Sequence, residues 1–278
     1  MKVLIVCFAL TAVVSVGAFD LYPLIRPQFS SGDIISGTAA EPGEAPFIVS
    51  LKSSSHFCAG SIIDEHWILT AAHCLVYNKF KVVAGLHKRS DESQVQIRSV
   101  SLKNNSIQHE LYSGGVGPND IGLIYLDEPL DLSEISRSTG KPLVSKVQLP
   151  SRQFSQLGDG VLFGWGIDNS NNIPNTLQKL ETQIIGYDRC KRLLPMSAPL
   201  DPVNICSHNE GTIASACNGD SGGPLVKFNG KVVEQIGIVS WGYTPCTSTR
   251  YPSVYTHTDA FLSWISQSIE GFVPANKQ

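Results

Sequence analysis

Short β-forming segments recur along the chain from Ile48 onward and restrict it to an all-β architecture. The segments are rich in Val, Ile, Tyr and Trp, while Gly, Pro, Asn and Ser lie between them. They are FIVSL (47–51), HWILTAA (66–72), FKVVAG (80–85), DIGLIYL (120–126), VLFGWG (161–166), VVEQIGIVSWG (232–242) and SVYTH (253–257). Because many short strands without intervening helical periodicity are typical of barrels and sandwiches, we expect one of these two architectures.

The C-terminus departs from this pattern. Asp259 is placed to cap a helix over about 259–270. Its apolar residues recur at helical spacing and are interpreted as packing surface: Phe261, Leu262, Trp264, Ile265 and Ile269. A polar, Pro-containing segment from Ser136 to Ser155 divides the chain near its middle and predicts two β units of similar size.

Residues 1–18 predict a signal peptide. Lys2 supplies a positive charge, Val3 to Val14 are mostly apolar, and Val16-Gly17-Ala18 offers small residues for signal peptidase. The apolar run is short for a membrane span, which needs roughly 20 residues. We therefore expect a secreted protein without a membrane association; an uncleaved anchor is the alternative.

Six cysteines remain after removal of the signal peptide, which carries Cys7: Cys58, Cys74, Cys190, Cys206, Cys217 and Cys246. An even number in a secreted chain indicates disulfides, although six cysteines allow 15 pairings. The sequence contains no CxxC or HxxxH cluster, so a structural zinc site is not expected. A net charge of −3 without a basic stripe argues against nucleic acid as a partner. No cofactor and no metal are expected.

The segment ACNGDSGGP (216–224) presents Ser221 among glycines, so the backbone can turn sharply and approach a ligand closely. This arrangement suits a nucleophilic hydroxyl, with the N–H groups of Gly219 and Ser221 available to an oxyanion. A serine nucleophile also needs a base and a group that orients the base. His73 in WILTAAHC and Asp120 in NDIGLIYL are the candidates, although each alone is more often a structural residue.

Taken together, TAAHC, DIGLI and GDSGGP resemble the chymotrypsin-like serine proteases over essentially the whole mature chain. The resemblance implies two antiparallel six-stranded β-barrels, with the active site in the cleft between them and a C-terminal α-helix. It implies that Ser221 attacks the scissile carbonyl, that His73 transfers the proton and that Asp120 orients His73. It also implies an oxyanion hole at Gly219 and Ser221, protein or peptide substrates, protein inhibitors as further partners, and a monomer.

The same resemblance implies a disulfide pairing and a domain division. The pairs are Cys58–Cys74, Cys190–Cys206 and Cys217–Cys246. The chain divides into a signal peptide (1–18), an activation propeptide (19–33) and a protease domain (34–278). Within that domain, the first barrel covers about 34–145 and the second about 146–257.

The segment IISG (34–37) resembles the new N-terminus that activation cleavage creates in this family. The resemblance implies that the freed ammonium of Ile34 pairs with Asp220 and orders the pocket. Asp33 departs from the family pattern, in which Lys or Arg precedes the cleaved bond, and the only basic propeptide residue, Arg26, is followed by proline. Three alternatives stand: a different activating protease, trimming that ends at Ile34, or a zymogen that is not activated efficiently.

The substrate pocket is interpreted from the same resemblance. Ser215 stands where trypsin-like members carry aspartate, so no counter-ion for Lys or Arg is expected, and Gly242 leaves the pocket mouth open. Ser253 stands where glycine is usual, and its side chain is expected to intrude on the lower pocket. These features predict cleavage after Phe, Tyr or Leu, with a shift toward smaller residues. Leu86 replaces the glutamate of calcium-binding relatives, so no calcium site is expected there.

The sequon Asn104-Asn105-Ser106 lies in a polar stretch and makes Asn104 a candidate glycosylation site in a surface loop.

The leading interpretation is a secreted digestive endopeptidase of the gut lumen, because HFCAGSIIDEHWILTAAHC is most similar to insect digestive chymotrypsins. One alternative is a protease-like carbohydrate-binding protein without activity. Such homologues usually lose a triad residue, whereas this chain keeps all three. Another alternative is a proteolytic lectin that both cleaves proteins and binds carbohydrate. No residue cluster in the sequence explains sugar recognition.

Overall fold

The computed structural model describes residues 35–151, 153, 155–246 and 250–274. The expected signal peptide and propeptide, together with the cleavage-point residue Ile34, lie outside this part of the chain. The strands are β1 (Thr38–Ala39), β2 (Ile48–Lys52), β3 (His56–Asp64), β4 (Trp67–Thr70), β5 (Lys79–Ala84), β6 (Gln96–Ser101), β7 (Ser106–Gln108), β8 (Gly122–Tyr125), β9 (Gly158–Gly164), β10 (Gln178–Ile185), β11 (Asn204–Ser207), β12 (Pro224–Asn229), β13 (Val232–Trp241) and β14 (Ser253–His257). The α-helices are α1 (Leu102–Asn105), α2 (Tyr187–Leu193) and α3 (Leu262–Gly271), and 3-10 turns occupy Ala72–Cys74 and Thr258–Phe261.

The N-terminal half forms a curled antiparallel sheet with the strand order β6-β5-β2-β3-β4-β8-β7. Strands β4 and β8 pair along their length, from Trp67 opposite Tyr125 to Thr70 opposite Gly122. His73 follows the end of β4 and Asp120 precedes the start of β8. Because the strands are antiparallel, this pairing brings the two residues to the same edge of the sheet.

Six strands of the C-terminal half close into an antiparallel barrel, in the order β10-β11-β14-β13-β12-β9, with β9 pairing back to β10. The all-β class with a C-terminal helix is thus confirmed. The N-terminal sheet curls without a pairing between its edge strands β6 and β7 in the described residues. Strand β1 lies in the range expected for the first barrel but pairs with β10 of the second.

The apolar stripe of α3 packs on the N-terminal sheet. Phe261 and Ile265 are buried in the same apolar cluster as residues of β2, β4 and β8. Trp264 and Ile269 are partly buried against that cluster. The helix therefore closes the base of the N-terminal half, which is the packing role expected for its stripe.

Two helical features differ from the sequence-based expectation. The C-terminal α-helix begins at Leu262, because Thr258–Phe261 form a 3-10 turn, and Asp259 lies in that turn instead of capping the α-helix. Helix α2 was not expected from the sequence. It is only seven residues long and buries Cys190 alone, so it carries no apolar periodicity.

Candidate active site

The adjacent ends of β4 and β8 place His73 against Asp120. His73 lies in the 3-10 turn that ends at Cys74. The Asp120 side chain is only 1% exposed and accepts the backbone N–H of His73 at Oδ1 (2.9 Å). The Nδ1 atom of His73 lies 2.7 Å from Oδ2 of Asp120. Because the Asp120 carboxylate can only accept a hydrogen bond, Nδ1 of His73 carries the proton. Nε2 of His73 then keeps a lone pair.

The C-terminal barrel also holds Asp120. Ser240 of β13 donates from Oγ to Oδ2 of Asp120 (2.6 Å), and Thr256 of β14 donates from Oγ1 to the backbone oxygen of Asp120 (2.7 Å). These bonds satisfy oxygens that burial removes from water. No sequence motif indicates this role of Ser240 or Thr256, because only the folded chain brings β13 and β14 to this edge.

Ser221 lies in a tight turn that rests on the N-terminal sheet. Gly219 and Gly222 on either side have φ angles of 103° and 76°, a region that favours glycine. A Cβ atom at Gly222 would lie 2.2 Å from Oγ1 of Thr70, so no side chain fits there. The backbone oxygen of Ser221 accepts the N–H of Ala59 (2.8 Å). The two halves of the molecule thus fix the turn jointly.

One cavity of about 380 Å³ joins His73 and Ser221. The other described residues that line it carry no acidic or basic side chain: Gly115, Val116, Ala216, Cys217, Asn218, Val239, Ser240, Trp241, Gly242, Thr244 and Cys246. The described lining therefore places no fixed negative charge in this cavity.

The expected pocket residues lie in and behind this lining. Gly242 lines the cavity, and an added Cβ would meet no atom within 4 Å. Ser215 is buried and donates from Oγ to the backbone oxygen of Cys246 (3.5 Å). Ser253 is buried as well, and its Oγ accepts the N–H of Ala216 (3.0 Å). Both hydroxyls are therefore bonded to the backbone of lining residues.

Asp220, next to Ser221, has a fully buried carboxylate. Its Oδ1 accepts the N–H of Gly166 (2.7 Å) and its Oδ2 accepts the N–H of Cys217 (2.9 Å). Burial raises the pKa of Asp220 to about 7, against the opposite effect of these two hydrogen bonds. Ile35 is also buried and forms a β-bridge with Ser215. The chain just after the expected cleavage point thus reaches the wall of the cavity.

His56 holds Gly219, although the sequence analysis gave it no role. Its Nε2 lies 2.9 Å from the backbone oxygen of Gly219, and Oγ of Ser50 lies 2.8 Å from its Nδ1. Burial lowers the pKa of His56 to about 4, so the ring is neutral at pH 7. A proton on Nε2 then donates to Gly219, while Nδ1 accepts from Ser50. The peptide plane that bears the Gly219 oxygen is fixed in this way.

The trypsin family model matches the chain over residues 34–265. The chain belongs to the trypsin family. It is a serine endopeptidase, and its substrates are proteins.

Individual members of the trypsin family are similar to this chain over most of its length. Lectizyme of Glossina austeni is 56% identical over 266 residues, which cover 95% of this chain and 96% of the relative. Trypsin Tyr p 3.0101 of Tyrophagus putrescentiae is 34% identical over 278 residues, covering 96% and 91%. Trypsin Blo t 3 of Blomia tropicalis is 35% identical over 254 residues, covering 85% and 86%.

This trypsin-family chain contains the disulfides Cys58–Cys74, Cys190–Cys206 and Cys217–Cys246, the same pairs that the resemblance implies. The first ties β3 to the turn that bears His73. The third joins two residues of the cavity lining. Three disulfides fit an extracellular protein. In the part of the chain that the structure describes, no helix is long and apolar enough to cross a membrane.

Two further positions named from the sequence lie away from this cavity. Asn104 is exposed as expected, but it lies on the short helix α1 and not in a loop, next to the buried Asn105. Leu86 is buried in an apolar cluster to which both halves contribute, for example with Phe47 and Trp165.

Proposed function

We propose that this protease cleaves peptide bonds with Ser221 as nucleophile, His73 as general base and Asp120 as the residue that orients the base. The observation that carries the proposal is the buried carboxylate of Asp120, which fixes Nδ1 of His73 in a cavity shared with Ser221. This matches the reaction sequence established for the family.

In the first step, Nε2 of His73 takes the hydroxyl proton as Oγ of Ser221 bonds to the substrate carbonyl carbon. The carbonyl oxygen becomes an oxyanion, and the N–H groups of Gly219 and Ser221 stabilise it. His73 then donates its proton to the leaving amine, the carbon–nitrogen bond breaks, and an acyl-enzyme remains. Water attacks this ester with the same proton transfers in reverse order and restores Ser221. The imidazolium of each step is stabilised by Asp120.

The proposed P1 preference is chymotrypsin-like, for Phe, Tyr or Leu. The support is a lining without acidic side chains in the described residues and the neutral Ser215 behind it. Ser253 adds a hydroxymethyl group behind the cavity wall, where a glycine would have no side chain, and bonds there to the lining residue Ala216. A change of this size discriminates between substrates by roughly 1–3 kcal/mol, so a shift toward smaller P1 residues is part of the proposal.

We also propose that the protein is a zymogen, which is activated by cleavage between Asp33 and Ile34. Asp220 supports this role, because its carboxylate is buried and has two N–H donors but no cation among the described residues. An ammonium group of Ile34 would supply the missing charge and keep Asp220 ionised. Cleavage after an acidic residue requires an activator that is not tryptic.

Secretion into the gut lumen and a digestive role complete the main proposal, and Asn104 is proposed as a glycosylated residue because it is exposed. Carbohydrate binding is a second candidate function. Its support is the name of the relative Lectizyme, which is 56% identical to this chain. If agglutination of cells by the protein survives acylation of Ser221, the sugar site is separate from the catalytic site; if it is lost, the two overlap.

The main proposal is tested with the full-length chain secreted from insect cells. Its N-terminus is sequenced, and the protein is titrated with an acylating ester, with Ser221→Ala as the control. We expect a stoichiometric burst from chains that begin at Ile34 and none from the control. No burst from chains that begin at Ile34 would overturn the catalytic assignment.

A further inference from the structure

A second cavity, of about 540 Å³, lies on the outer face of the N-terminal sheet. Strands β2, β5 and β6 and helix α1 form it, and it shares no lining residue with the catalytic cavity. Three of its lining residues are lysines, Lys52, Lys79 and Lys81, and three are serines, Ser53, Ser99 and Ser101. We call this the lysine cavity.

The strand register places positive charges side by side in the lysine cavity. Lys52 of β2 lies directly opposite Lys81 of β5, and Lys81 lies opposite Ser99 of β6. Lys79 lies opposite Ser101 in the neighbouring row. Like charges directly opposite each other destabilise an antiparallel pair. A sheet built for stability alone would place an acidic residue at one of these positions.

The acidic residues near the lysine cavity offset two of its three positive charges. Glu92 forms an ion pair with Lys52. Asp127 lines the cavity and accepts the side-chain amide of Asn105 at Oδ2 (3.0 Å). Lys79 and Lys81 are exposed and form no ion pair in the described part of the chain. Against the single lining carboxylate of Asp127, these two lysines leave one excess positive charge, which attracts an anion from solution.

The neutral lining of the lysine cavity favours a ligand rich in hydroxyl groups. The hydroxyl groups of the three serines in the lining can form hydrogen bonds with such a ligand. Its apolar residues, Phe80 and Val100, are only 4% and 3% exposed, so they offer no pocket to an apolar side chain of a peptide.

Addition of a peptide strand at β6 is blocked. Gln96 donates from Nε2 to the backbone oxygen of Asp131 (2.9 Å), and Arg98 donates from Nε to that of Glu128 (2.9 Å). These side-chain bonds hold the 128–131 loop against β6, the outer strand of the sheet. Because strand addition is the main way in which an extended peptide gains affinity at a sheet edge, an acidic peptide is the weaker candidate.

We propose that the lysine cavity binds an acidic oligosaccharide. Sulfate or carboxylate groups of the sugar pair with Lys79 and Lys81, and its hydroxyl groups bond to the serines. The inference rests on the carbohydrate-binding candidate of the proposed function, to which it gives a place and a ligand charge, but it does not depend on the catalytic residues or on protease activity.

The test measures binding of dextran sulfate oligosaccharides by the full-length protein, with neutral dextran and poly-L-glutamate as comparison ligands. The test variant is Lys79→Gln/Lys81→Gln. The matched control is Lys191→Gln/Lys231→Gln, which changes the net charge equally at exposed positions outside the lysine cavity. Intact-mass measurement establishes that all variants carry the same modification at Asn104. Ester turnover and thermal unfolding verify that each variant is folded.

We expect the test variant to bind dextran sulfate at least about tenfold more weakly than the wild type, a loss of about 1.4 kcal/mol. The control variant is expected to bind like the wild type. Binding should weaken steeply with salt, because the charges are exposed. Equal losses in both variants would show non-specific charge attraction and overturn the proposal, as would an unchanged test variant. Tighter binding of poly-L-glutamate than of dextran sulfate would assign the cavity to acidic peptides instead.

Discussion

At the scale of single residues, the contact between His73 and Asp120 depends on one chemical property, the ability of a carboxylate oxygen to accept at 2.7 Å from Nδ1. In Asp120→Asn, the amide nitrogen can take that position and donate, which moves the proton of His73 to Nε2 and removes the base. We expect kcat for an ester substrate to fall about 10⁴-fold, as the same exchange does in this family, with a small change in KM.

The control for this exchange is Ser240→Ala, which removes one hydrogen bond to Asp120 and leaves the carboxylate. We expect a much smaller loss of kcat in this variant. If Asp120→Asn kept more than about a tenth of the wild-type kcat while folded, the orienting role of Asp120 would be wrong.

A second prediction at this scale concerns pH and His56. Burial lowers its pKa from 6.5 to about 4, so between these values the unfolded chain binds a proton that the folded chain does not. Stability therefore rises with pH across this window and falls as the solution is acidified from pH 7 toward pH 4. The replacement His56→Gln removes this contribution.

We expect the thermal midpoint of the wild type to fall more between pH 7 and pH 4.5 than that of His56→Gln. The difference between the two proteins isolates His56 from other groups, including Asp220, whose raised pKa acts in the opposite direction. Parallel midpoints for both proteins over this range would contradict the assignment of a neutral, buried His56.

At the scale of elements, helix α3 is stabilised through its packing on the N-terminal sheet. Ile265 is 1% exposed and lies in the core cluster of that sheet. Replacement by alanine removes buried methyl groups and leaves a cavity, so Ile265→Ala should lower the free energy of unfolding by about 2–5 kcal/mol. Urea denaturation measures this change. Gln267→Ala, at an exposed position of the same helix, should change stability by less than about 0.5 kcal/mol.

The elements that could be predicted from the sequence are those whose own residues carry a hydrophobic pattern. Strands such as β5, β8, β13 and β14 contain β-branched and aromatic runs, and the sequence revealed them. Strand β10 has buried and exposed residues in alternation, but its sequence, QKLETQII, places polar residues on both faces, so the apolar alternation of a strand is lost. Its inner face includes Gln178 and Thr182, which are buried by tertiary contacts and not by their own hydrophobicity. Helix α2 could not be predicted, because only one of its seven residues is buried and its sequence therefore shows no apolar periodicity.

At the scale of the whole molecule, the site is assembled from both halves. His73 and Asp120 belong to the N-terminal sheet and Ser221 to the C-terminal half, and local glycine and histidine motifs revealed all three. The residues that join the halves, His56, Ser240 and Thr256, carry no local signal, since their partners are 163, 120 and 136 positions away. The proposed reacting groups could therefore be named from the sequence, whereas the residues that hold them depend on long-range contacts.

The activation proposal gives the prediction that belongs to this scale. In Asp33→Arg, trypsin can cut before Ile34, and the freed ammonium group can pair with the buried carboxylate of Asp220. We expect the cut protein to give an acylation burst and the uncut protein to give little. In the double variant Asp33→Arg/Asp220→Asn, the ammonium group would be buried without an opposite charge. Removing one partner of a buried ion pair costs about 3–5 kcal/mol, enough to reduce the competent population by a factor of roughly 10² to 5 × 10³.

The double variant should therefore be cut at the same rate as Asp33→Arg but give almost no burst. Its side-chain amide can still accept from only one of the two N–H donors, Gly166 and Cys217, that Asp220 satisfies. N-terminal sequencing of the cut sample confirms that the chain begins at Ile34 before the burst is read. A full burst from the cut double variant would show that the pocket forms without an ion pair at Asp220, and that cleavage acts through another contact of the new N-terminus.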